Sequence, residues 1–396
     1  MTLFAGLKVI DCASWIAGPC AATILSDFGA DVIKIEPPGA GDPWRAVQAI
    51  PGLSGDYYWQ LTSRNKRSLA LDLKQREGQA VLHRLCTQAD VFITNFPIPV
   101  RDRLRMAPAD LLPLNPRLIY ASFTAYGEAG EEAAKTGFDS TAYWARTGLM
   151  DMVRADAETT PQRSMPGMGD HPSGTALYAA IVSALYRREK TGQGGVVKTS
   201  LLQNGLWANA CAVQVRLFGT PVPLRPRRED APNALANHYR SRDGRWFIMA
   251  LFNEQRQLKS FLDAIGRHDL SDDPRFATPA ARKENARALV RVLDEVFATR
   301  DLAEWRTILD GVGVTFGIVG TVEEAATDRQ MRDCGALVPF ADGAQETVSS
   351  PFHIDGVDKV APQRAPALGQ HSAALLAEAG YTPADIEHLR GLGVVA

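Results

Sequence analysis

Hydrophobic positions in the first half of the chain follow two alternating patterns. Short, mostly apolar runs typical of buried strands alternate with longer stretches whose apolar positions recur at helical spacing. The predicted strands are 7–11, 31–36, 68–73, 91–95, 117–123 and 196–200, and the predicted helices are 21–28, 76–88, 176–186 and 201–217. Strands that alternate with helices of this length predict an α/β fold with a mostly parallel sheet.

The pattern changes after residue 218. Residues 219–232 contain four prolines and three arginines, which predicts a linker to a second domain. Beyond this linker the predicted helices are 255–265, 281–298, 302–309 and 372–379, and the predicted strands are 246–251, 313–319 and 348–354. We expect the strand at 313–319 to return toward the first domain.

Composition excludes several classes of function. A net charge of −2 does not favour binding to nucleic acid or to a membrane surface. The five cysteines and seven histidines are dispersed without the spacing of a metal site, so we expect no metal and a reducing compartment. The N-terminal segment carries charges inside its apolar run, and no run approaches the length of a membrane span, so we expect a cytoplasmic protein.

Asp170 is the strongest candidate for chemistry. It stands between glycines in residues 167–174, directly before an apolar helical run. Aspartate at such a position commonly caps the helix, and Pro172 suits a first turn. The alternative is a nucleophile, because Gly167 and Gly169 leave room for a substrate to approach the carboxylate closely. The local pattern alone favours the cap.

Two further segments, one basic and one containing glycine, each have two interpretations. Residues 64–68 place three cations before a strand, as in a solvated loop or in an anion site. Gly18 and Pro19 lie at the first strand-to-helix turn, either for close packing or to present backbone N–H groups to a phosphate. The patterns typical of dinucleotide and nucleoside triphosphate sites are absent from the sequence.

Short motifs along the whole chain resemble one family. They are LKVID (7–11), AGP (17–19), GADVIKIE (29–36), GDP (41–43), NKRS (65–68), DV (90–91), NF (95–96), LNPRLI (114–119), GFD (137–139), GD (169–170), KTGQG (190–194) and APALGQH (365–371). In this order they resemble the class III CoA-transferases, the superfamily of formyl-CoA transferase and carnitine CoA-transferase, also called CaiB/BaiF.

The resemblance implies a Rossmann-like large domain and a smaller α+β domain in an interlocked homodimer. The corresponding boundaries are 1–218 for the first part of the large domain, 219–232 for the linker, 233–325 for the small domain and 326–396 for a C-terminal return that completes the large domain. Asp170 matches the aspartate that attacks the acyl-CoA thioester and then carries CoA as an aspartyl thioester. No permanently bound cofactor is implied, since coenzyme A enters as part of the substrate.

Matching positions also imply contacts to CoA, at Ala17, Leu71, Lys74, Asn95, Phe96, Arg103 and Lys135. Two positions depart from the family, with Ser14 in place of a histidine and Pro37 in place of an arginine. The four-glycine loop that closes the site of formyl-CoA transferase is also absent, and residues 232–239 are expected to approach the acyl end instead. A broader acid substrate than oxalate or formate is therefore expected, with Arg45, Arg64, His171 and His238 as candidates to hold a distal carboxylate.

The favoured reaction is reversible CoA transfer from an acyl-CoA, with succinyl-CoA as the leading donor, to a C4–C6 dicarboxylic or hydroxy acid. An α-methylacyl-CoA racemase is the main alternative, because it shares the fold. A racemase needs two acid/base groups. Where the racemase has a histidine, this chain has Phe138, although His171 is available as a second base. An intramolecular transfer within one dicarboxylate and a non-catalytic CoA-binding protein also stay open.

Overall fold

The computed structural model describes residues 2–47 and 55–396. The chain forms two compact units. The first comprises Met1–Met150, Arg163–Pro221 and Arg329–Ala396, and the second comprises Asp151–Gln162 and Val222–Asp328. The predicted linker 219–232 contains the boundary after Pro221, whereas the membership of Asp151–Gln162 in the second unit has no counterpart in the sequence pattern.

The first unit is built on a six-stranded parallel sheet. Its strands are β1 (Lys8–Asp11), β2 (Asp31–Glu36), β3 (Lys66–Ala70), β4 (Val91–Thr94), β5 (Ile119–Thr124) and β6 (Gly195–Ser200). They lie in the order β3-β2-β1-β4-β5-β6, and every neighbouring pair is parallel. This is the strand order of a Rossmann-like fold, which confirms the α/β prediction. In such sheets ligands bind beyond the carboxyl ends of the strands where the order reverses, here between β1 and β4.

Helices cover both faces of this sheet. Up to residue 217 the α-helices are α1 (Ala17–Asp27), α2 (Tyr57–Ser63), α3 (Arg76–Cys86), α4 (Ile98–Arg103), α5 (Pro108–Leu111), α6 (Leu149–Met152), α7 (Asp170–Thr191), α8 (Leu201–Ala208) and α9 (Ala210–Leu217). α1 packs on α7 over one face of the sheet. α3 and the C-terminal segment cover the other face, where Leu71 pairs with Val395 beside β3.

The second unit has its own small sheet and core. Its helices are α10 (Glu254–Ala264), α11 (Pro279–Glu284), α12 (Ala286–Phe297), α13 (Leu302–Gly311) and α14 (Val322–Thr327). The antiparallel strands β7 (His238–Arg240), β8 (Trp246–Met249) and β9 (Phe316–Ile318) form its sheet. The expectation that 313–319 returns to the first domain is wrong, because Phe316–Ile318 pairs with β8.

The C-terminal part of the first unit contains short elements. They are α15 (Arg329–Asp333), β10 (Leu337–Pro339), β11 (Glu346–Val348), α16 (Ser372–Glu378) and α17 (Pro383–Gly391). β10 and β11 form an antiparallel pair, so the strand predicted at 348–354 instead ends at Val348. Within the part of the chain that the structure describes, no helix has the length and apolar character to cross a membrane.

Candidate active site

A cavity of about 380 Å³ lies at the reversal point of the large sheet. Its walls come from the segments that follow β1, β4 and β5, from residues 133–138 and from the start of α7 and α8. The residues that line it are Ser14, Trp15, Ala17, Asn95, Phe96, Pro97, Phe123, Thr124, Ala125, Ala133, Lys135, Thr136, Gly137, Phe138, Asp170 and Leu201. The cavity therefore lies where the strand order predicts a ligand site.

The loop between β1 and α1 forms one wall and is held by side chains from two other strand ends. The Asn95 side chain accepts a hydrogen bond from the Ser14 backbone N–H (2.8 Å) and donates one to the Ser14 carbonyl (2.7 Å). Trp15 has a φ of 66°, a left-handed conformation that is unusual for a bulky residue. The Asp42 carboxylate supports that conformation by accepting hydrogen bonds from the N–H groups of Trp15 (3.2 Å) and Trp44 (2.9 Å).

Buried charges lie beneath this loop. The Lys34 ammonium is 2.8 Å from the Asp42 carboxylate and also donates to the Ala13 carbonyl, while the Lys66 ammonium is 2.8 Å from Asp11. Burial by itself would lower the pKa of Lys34, but Asp11 and Asp42 outweigh it and raise that pKa. For Lys66, burial outweighs the attraction of Asp11 and lowers the pKa. Because buried charges need partners, these pairs fix the backbone that carries Trp15.

Asp170 is the first residue of α7, and the N-cap position belongs to Gly169. The prediction that Asp170 caps the helix is therefore wrong. The turn before it is instead held by Asp139, whose Oδ2 accepts hydrogen bonds from the N–H groups of Gly167 (3.0 Å) and Gly169 (3.3 Å). A Cβ at residue 169 would lie 2.8 Å from the Tyr143 ring, so glycine permits this close approach.

Burial raises the pKa of Asp170 to about 7, and the nearby negative charge of Asp139 adds to the effect. A helix N-terminus by itself favours the ionised form of a carboxylate, so the rise in pKa runs against that effect. The anion is then poorly solvated and poised near neutral pH, as suits a group that attacks substrate. Burial and the charge of Arg64 lower the pKa of the adjacent His171.

Phe138 belongs to the 133–138 segment of the cavity wall and contacts the β1–α1 loop through Trp15. Its side chain is 56% exposed, and its ring packs edge-on against Trp15 at a centroid distance of 5.6 Å. A phenyl ring has no group that transfers a proton. The walls near Asp170 thus combine two aromatic rings with a single carboxylate.

The structure brings four of the seven predicted CoA-contact residues into this cavity, namely Ala17, Asn95, Phe96 and Lys135. Leu71, Lys74 and Arg103 are not among its described lining residues. Leu71 is buried in the sheet core, and Lys74 and Arg103 are exposed. The Lys135 ammonium lies 2.7 Å from Glu132 and 5.0 Å from the centre of the Tyr126 ring.

Of the four candidates for holding a distal carboxylate, two are already bound to carboxylates of this chain. Arg45 forms hydrogen bonds of 2.6 and 2.8 Å with Glu36, and Arg64 forms hydrogen bonds of 2.9 and 2.7 Å with Asp27. His171 follows Asp170 in the first turn of α7, and His238 belongs to the second unit. Nor do the described residues include a group of three or more side chains arranged to hold a metal ion.

Two residues that shape the site did not emerge from the sequence pattern. Arg101 is buried and donates hydrogen bonds to the carbonyls of Phe96 (2.5 Å) and Phe123 (3.0 Å), two residues of the cavity wall. Its guanidinium also lies 3.0 Å from Glu128. Asp139 holds the turn before Asp170. The resemblance motif GFD contains Asp139, but no local pattern indicates a contact across 28 residues.

Sequence comparisons identify this chain as a CoA-transferase. The chain belongs to CoA-transferase family III, whose sequence profile matches residues 4–372. It is 31% identical to (R)-2-hydroxy-4-methylpentanoate CoA-transferase of Clostridioides difficile, and the match spans 99% of each chain. It is 28% identical to succinyl-CoA:glutarate CoA-transferase of Mus musculus, across 98% of this chain and 89% of the relative.

A solved structure agrees with this assignment. The crystal structure of a CAIB/BAIF family protein from Brucella suis superimposes with a TM-score of 0.85 at 30% sequence identity, covering 96% of this chain and 99% of the other. The family predicted from the sequence motifs is thereby confirmed.

Proposed function

We propose that this enzyme moves CoA reversibly between an acyl-CoA and a small carboxylic acid, with Asp170 as the covalent nucleophile. The observation that carries the proposal is the position of Asp170 on the wall of the cavity at the sheet's reversal point, with a pKa raised to about 7 by burial. A carboxylate that is poorly solvated in the folded protein is a better nucleophile than one in water.

The reaction proceeds in four steps. A carboxylate oxygen of Asp170 attacks the thioester carbonyl and expels the CoA thiolate, which leaves a mixed anhydride between enzyme and acyl group. The thiolate then attacks the Asp170 carbonyl of the anhydride, releases the donor acid as its carboxylate and forms an aspartyl-CoA thioester. The acceptor carboxylate attacks the aspartyl carbonyl of that thioester and expels the CoA thiolate, which leaves a second anhydride between Asp170 and the acceptor. Finally the thiolate attacks the acceptor's carbonyl carbon of this anhydride, forms the new acyl-CoA and releases Asp170 as its carboxylate.

The four cavity residues at predicted CoA positions support binding of the CoA portion in this cavity. Lys135 carries the positive charge that opposes a CoA phosphate, and Phe96 offers an apolar face to the pantetheine or nucleotide. The exposed positions of Lys74 and Arg103 are compatible with contacts to the outer phosphates. These residue assignments remain predictions.

Phe138 argues against the racemase alternative. Racemisation requires a base on one side of the α-carbon and an acid on the other. The aromatic ring that faces Trp15 beside the cavity supplies neither group. His171 stays the remaining candidate for a second base, and its lowered pKa keeps it neutral near pH 7. The same cavity is compatible with intramolecular transfer within one dicarboxylate, which product analysis distinguishes.

We also propose the interlocked homodimer and the cytoplasmic location that the sequence suggested. Large apolar side chains on α8 and α9 support a protein partner, because Trp207, Leu217 and Phe218 are 82%, 74% and 82% exposed. Large exposed apolar side chains that form a patch mark an interaction site. A molar mass of two chains by light scattering is the expected result.

The test of this function is an exchange assay with purified protein. Acetyl-CoA, butyryl-CoA and succinyl-CoA are each incubated with a panel of C2–C6 acids, and new acyl-CoA species are identified by mass. We expect exchange that Asp170→Ala abolishes and that Asp102→Asn, a change of an exposed carboxylate on α4, leaves intact. Normal exchange by Asp170→Ala contradicts the mechanism. Deuterium uptake at the α-carbon in heavy water without CoA exchange establishes the racemase instead.

A further inference from the structure

The wall of the cavity beside Asp170 bears on which acids the enzyme accepts. Trp15 and Phe138 both line the cavity, and their rings meet edge to face at 5.6 Å. Asp170 lines the same cavity, so an acyl group bonded to it shares that cavity with these rings. The chemistry of that border therefore acts on the part of the substrate that distinguishes one acid from another.

Trp15 is held in place by more than its contact with Phe138. Its left-handed backbone is supported by the hydrogen bond to Asp42, and Asp42 is itself paired with the buried Lys34. Its ring also packs against Trp44 at a centroid distance of 6.2 Å. Strained backbone that the surrounding structure enforces is concentrated at functional sites. The indole is thus a fixed part of the wall.

The charges around Asp170 oppose a second carboxylate. In the described part of the chain, the one charge that shifts the pKa of Asp170 is the carboxylate of Asp139. Lys135 is the single cation among the described lining residues, and it is paired with Glu132. The buried cations beneath the β1–α1 loop and next to His171 are also paired: Lys34 with Asp42, Lys66 with Asp11 and Arg64 with Asp27.

We infer that Trp15 and Phe138 determine specificity, and that the enzyme prefers monocarboxylic acids with an apolar side chain over dicarboxylic acids of the same length. This inference rests on the proposed function, since it assumes that the acyl group is transferred through Asp170. A distal methyl group leaves water for an aromatic wall, which is favourable. A distal carboxylate loses its hydration there, near the buried negative charge of Asp139, and finds no unpaired cation among the described lining residues.

The inference also applies to the donor. Donor and acceptor acids occupy the same acyl position in the two halves of the reaction, so the preference holds in both directions. Butyryl-CoA is expected to be a better donor than succinyl-CoA, which runs against the sequence-based expectation of succinyl-CoA. A hydroxyl group next to the reacting carboxylate is compatible with this wall, because it lies away from the distal end of the acid.

Matched pairs of acids test the inference. Butanoate and succinate, pentanoate and glutarate, and hexanoate and adipate have equal numbers of carbons and differ only at the distal end. With the fastest donor from the exchange assay, we expect kcat/KM to rise about fourfold per added methylene among the monoacids. We also expect each monoacid to exceed its matched diacid by at least about tenfold, a modest value for an unpaired charge.

Variants then show whether the two rings cause the preference. Trp15→Ala and Phe138→Ala should reduce the increase in kcat/KM per added methylene. Trp15→Phe and Phe138→Leu should retain most of that increase. Phe138→Arg places a cation at the wall and should shift the preference toward glutarate. Circular dichroism and the rate with acetate, which has no chain beyond its methyl group, report whether the fold and the transfer chemistry survive.

Three results overturn the inference, and they are distinguishable. A preference of the wild-type enzyme for diacids refutes it while CoA transfer and the role of Asp170 stand. A monoacid preference that both alanine variants retain in full refutes the role of the rings. If no acid in the panel receives CoA from any donor, the proposed function fails and the inference fails with it.

Discussion

Replacing Asp139 with asparagine should lower the pH at which the enzyme becomes active. Asp139 accepts both backbone hydrogen bonds, from Gly167 and from Gly169, through the single oxygen Oδ2. An asparagine Oδ1 in the same place can accept both, so Asp139→Asn removes the negative charge and preserves the turn. The perturbation is therefore electrostatic.

The magnitude follows from the causes of the raised pKa of Asp170. Burial is the larger cause and the charge of Asp139 is the smaller one, and together they raise the pKa from 3.8 to about 7. The nucleophile is the ionised carboxylate, so activity should rise with pH and level off above about 7. Removing the smaller cause should shift the midpoint downward, but by less than half of the displacement, to a value that stays above about 5.4.

The assay is the pH dependence of kcat/KM, which reports the ionisation of the free enzyme. The wild-type protein and Asp139→Asn are compared between pH 4.5 and 9, with Asp102→Asn as a control that removes one exposed negative charge from the same unit. We expect the control to reproduce the wild-type midpoint. If the midpoint of the rise in kcat/KM with pH is unchanged in Asp139→Asn, or moves to higher pH, the proposed coupling between Asp139 and Asp170 is refuted.

Three further predictions concern stability. The pKa of Asp170 in the folded protein lies above its ordinary value, so the contribution of Asp170 to folding stability is favourable at low pH and is lost as the pH rises through about 7. Asp170→Asn should therefore raise the Tm at pH 8, which corresponds to an increase of up to about 4 kcal/mol in the free energy of unfolding. The increase should be much smaller at pH 5. Asp42→Ala leaves the buried Lys34 without its closest carboxylate and should lower the free energy of unfolding in urea by about 3–5 kcal/mol. The double variant Asp42→Ala, Lys34→Met should recover most of this loss. Gly174→Ala places a Cβ 2.8 Å from the Ala17 carbonyl oxygen where α1 meets α7, and should lower the unfolding free energy by about 1–3 kcal/mol. An unchanged denaturation midpoint in any of the three contradicts the corresponding contact.

The sheet was predictable because most of its strands are short runs rich in apolar residues, bounded by turns. All six parallel strands lie within a few residues of their predicted positions. Helix boundaries were less predictable. α1 begins at Ala17 rather than residue 21, because Gly18 and Pro19 fall in the first turn, where backbone N–H groups have no helical partner. The helix predicted at 201–217 breaks at Asn209, whose side chain donates a 2.9 Å hydrogen bond to the Thr147 carbonyl.

The site was only partly predictable from sequence. Asp170 emerged from its glycine neighbours and from the family motifs, but its environment depends on contacts between distant segments. The contact of Asp139 with the turn before Asp170 spans 28 residues, and that of Asp42 with Trp15 spans 27. No local pattern reports such contacts. Asp170 also differs from the local expectation because Gly169 takes the N-cap position and burial dominates its ionisation.

Covalent capture reports whether Asp170 carries CoA during the reaction. The enzyme is incubated with an acyl-CoA donor in the absence of acceptor acid, quenched with acid and measured by intact-protein and peptide mass spectrometry. We expect an added mass equal to CoA less one water, on the peptide that contains Asp170, and no such addition in Asp170→Asn. CoA transfer to acids without any covalent adduct, or with the adduct on another residue, contradicts this role of Asp170.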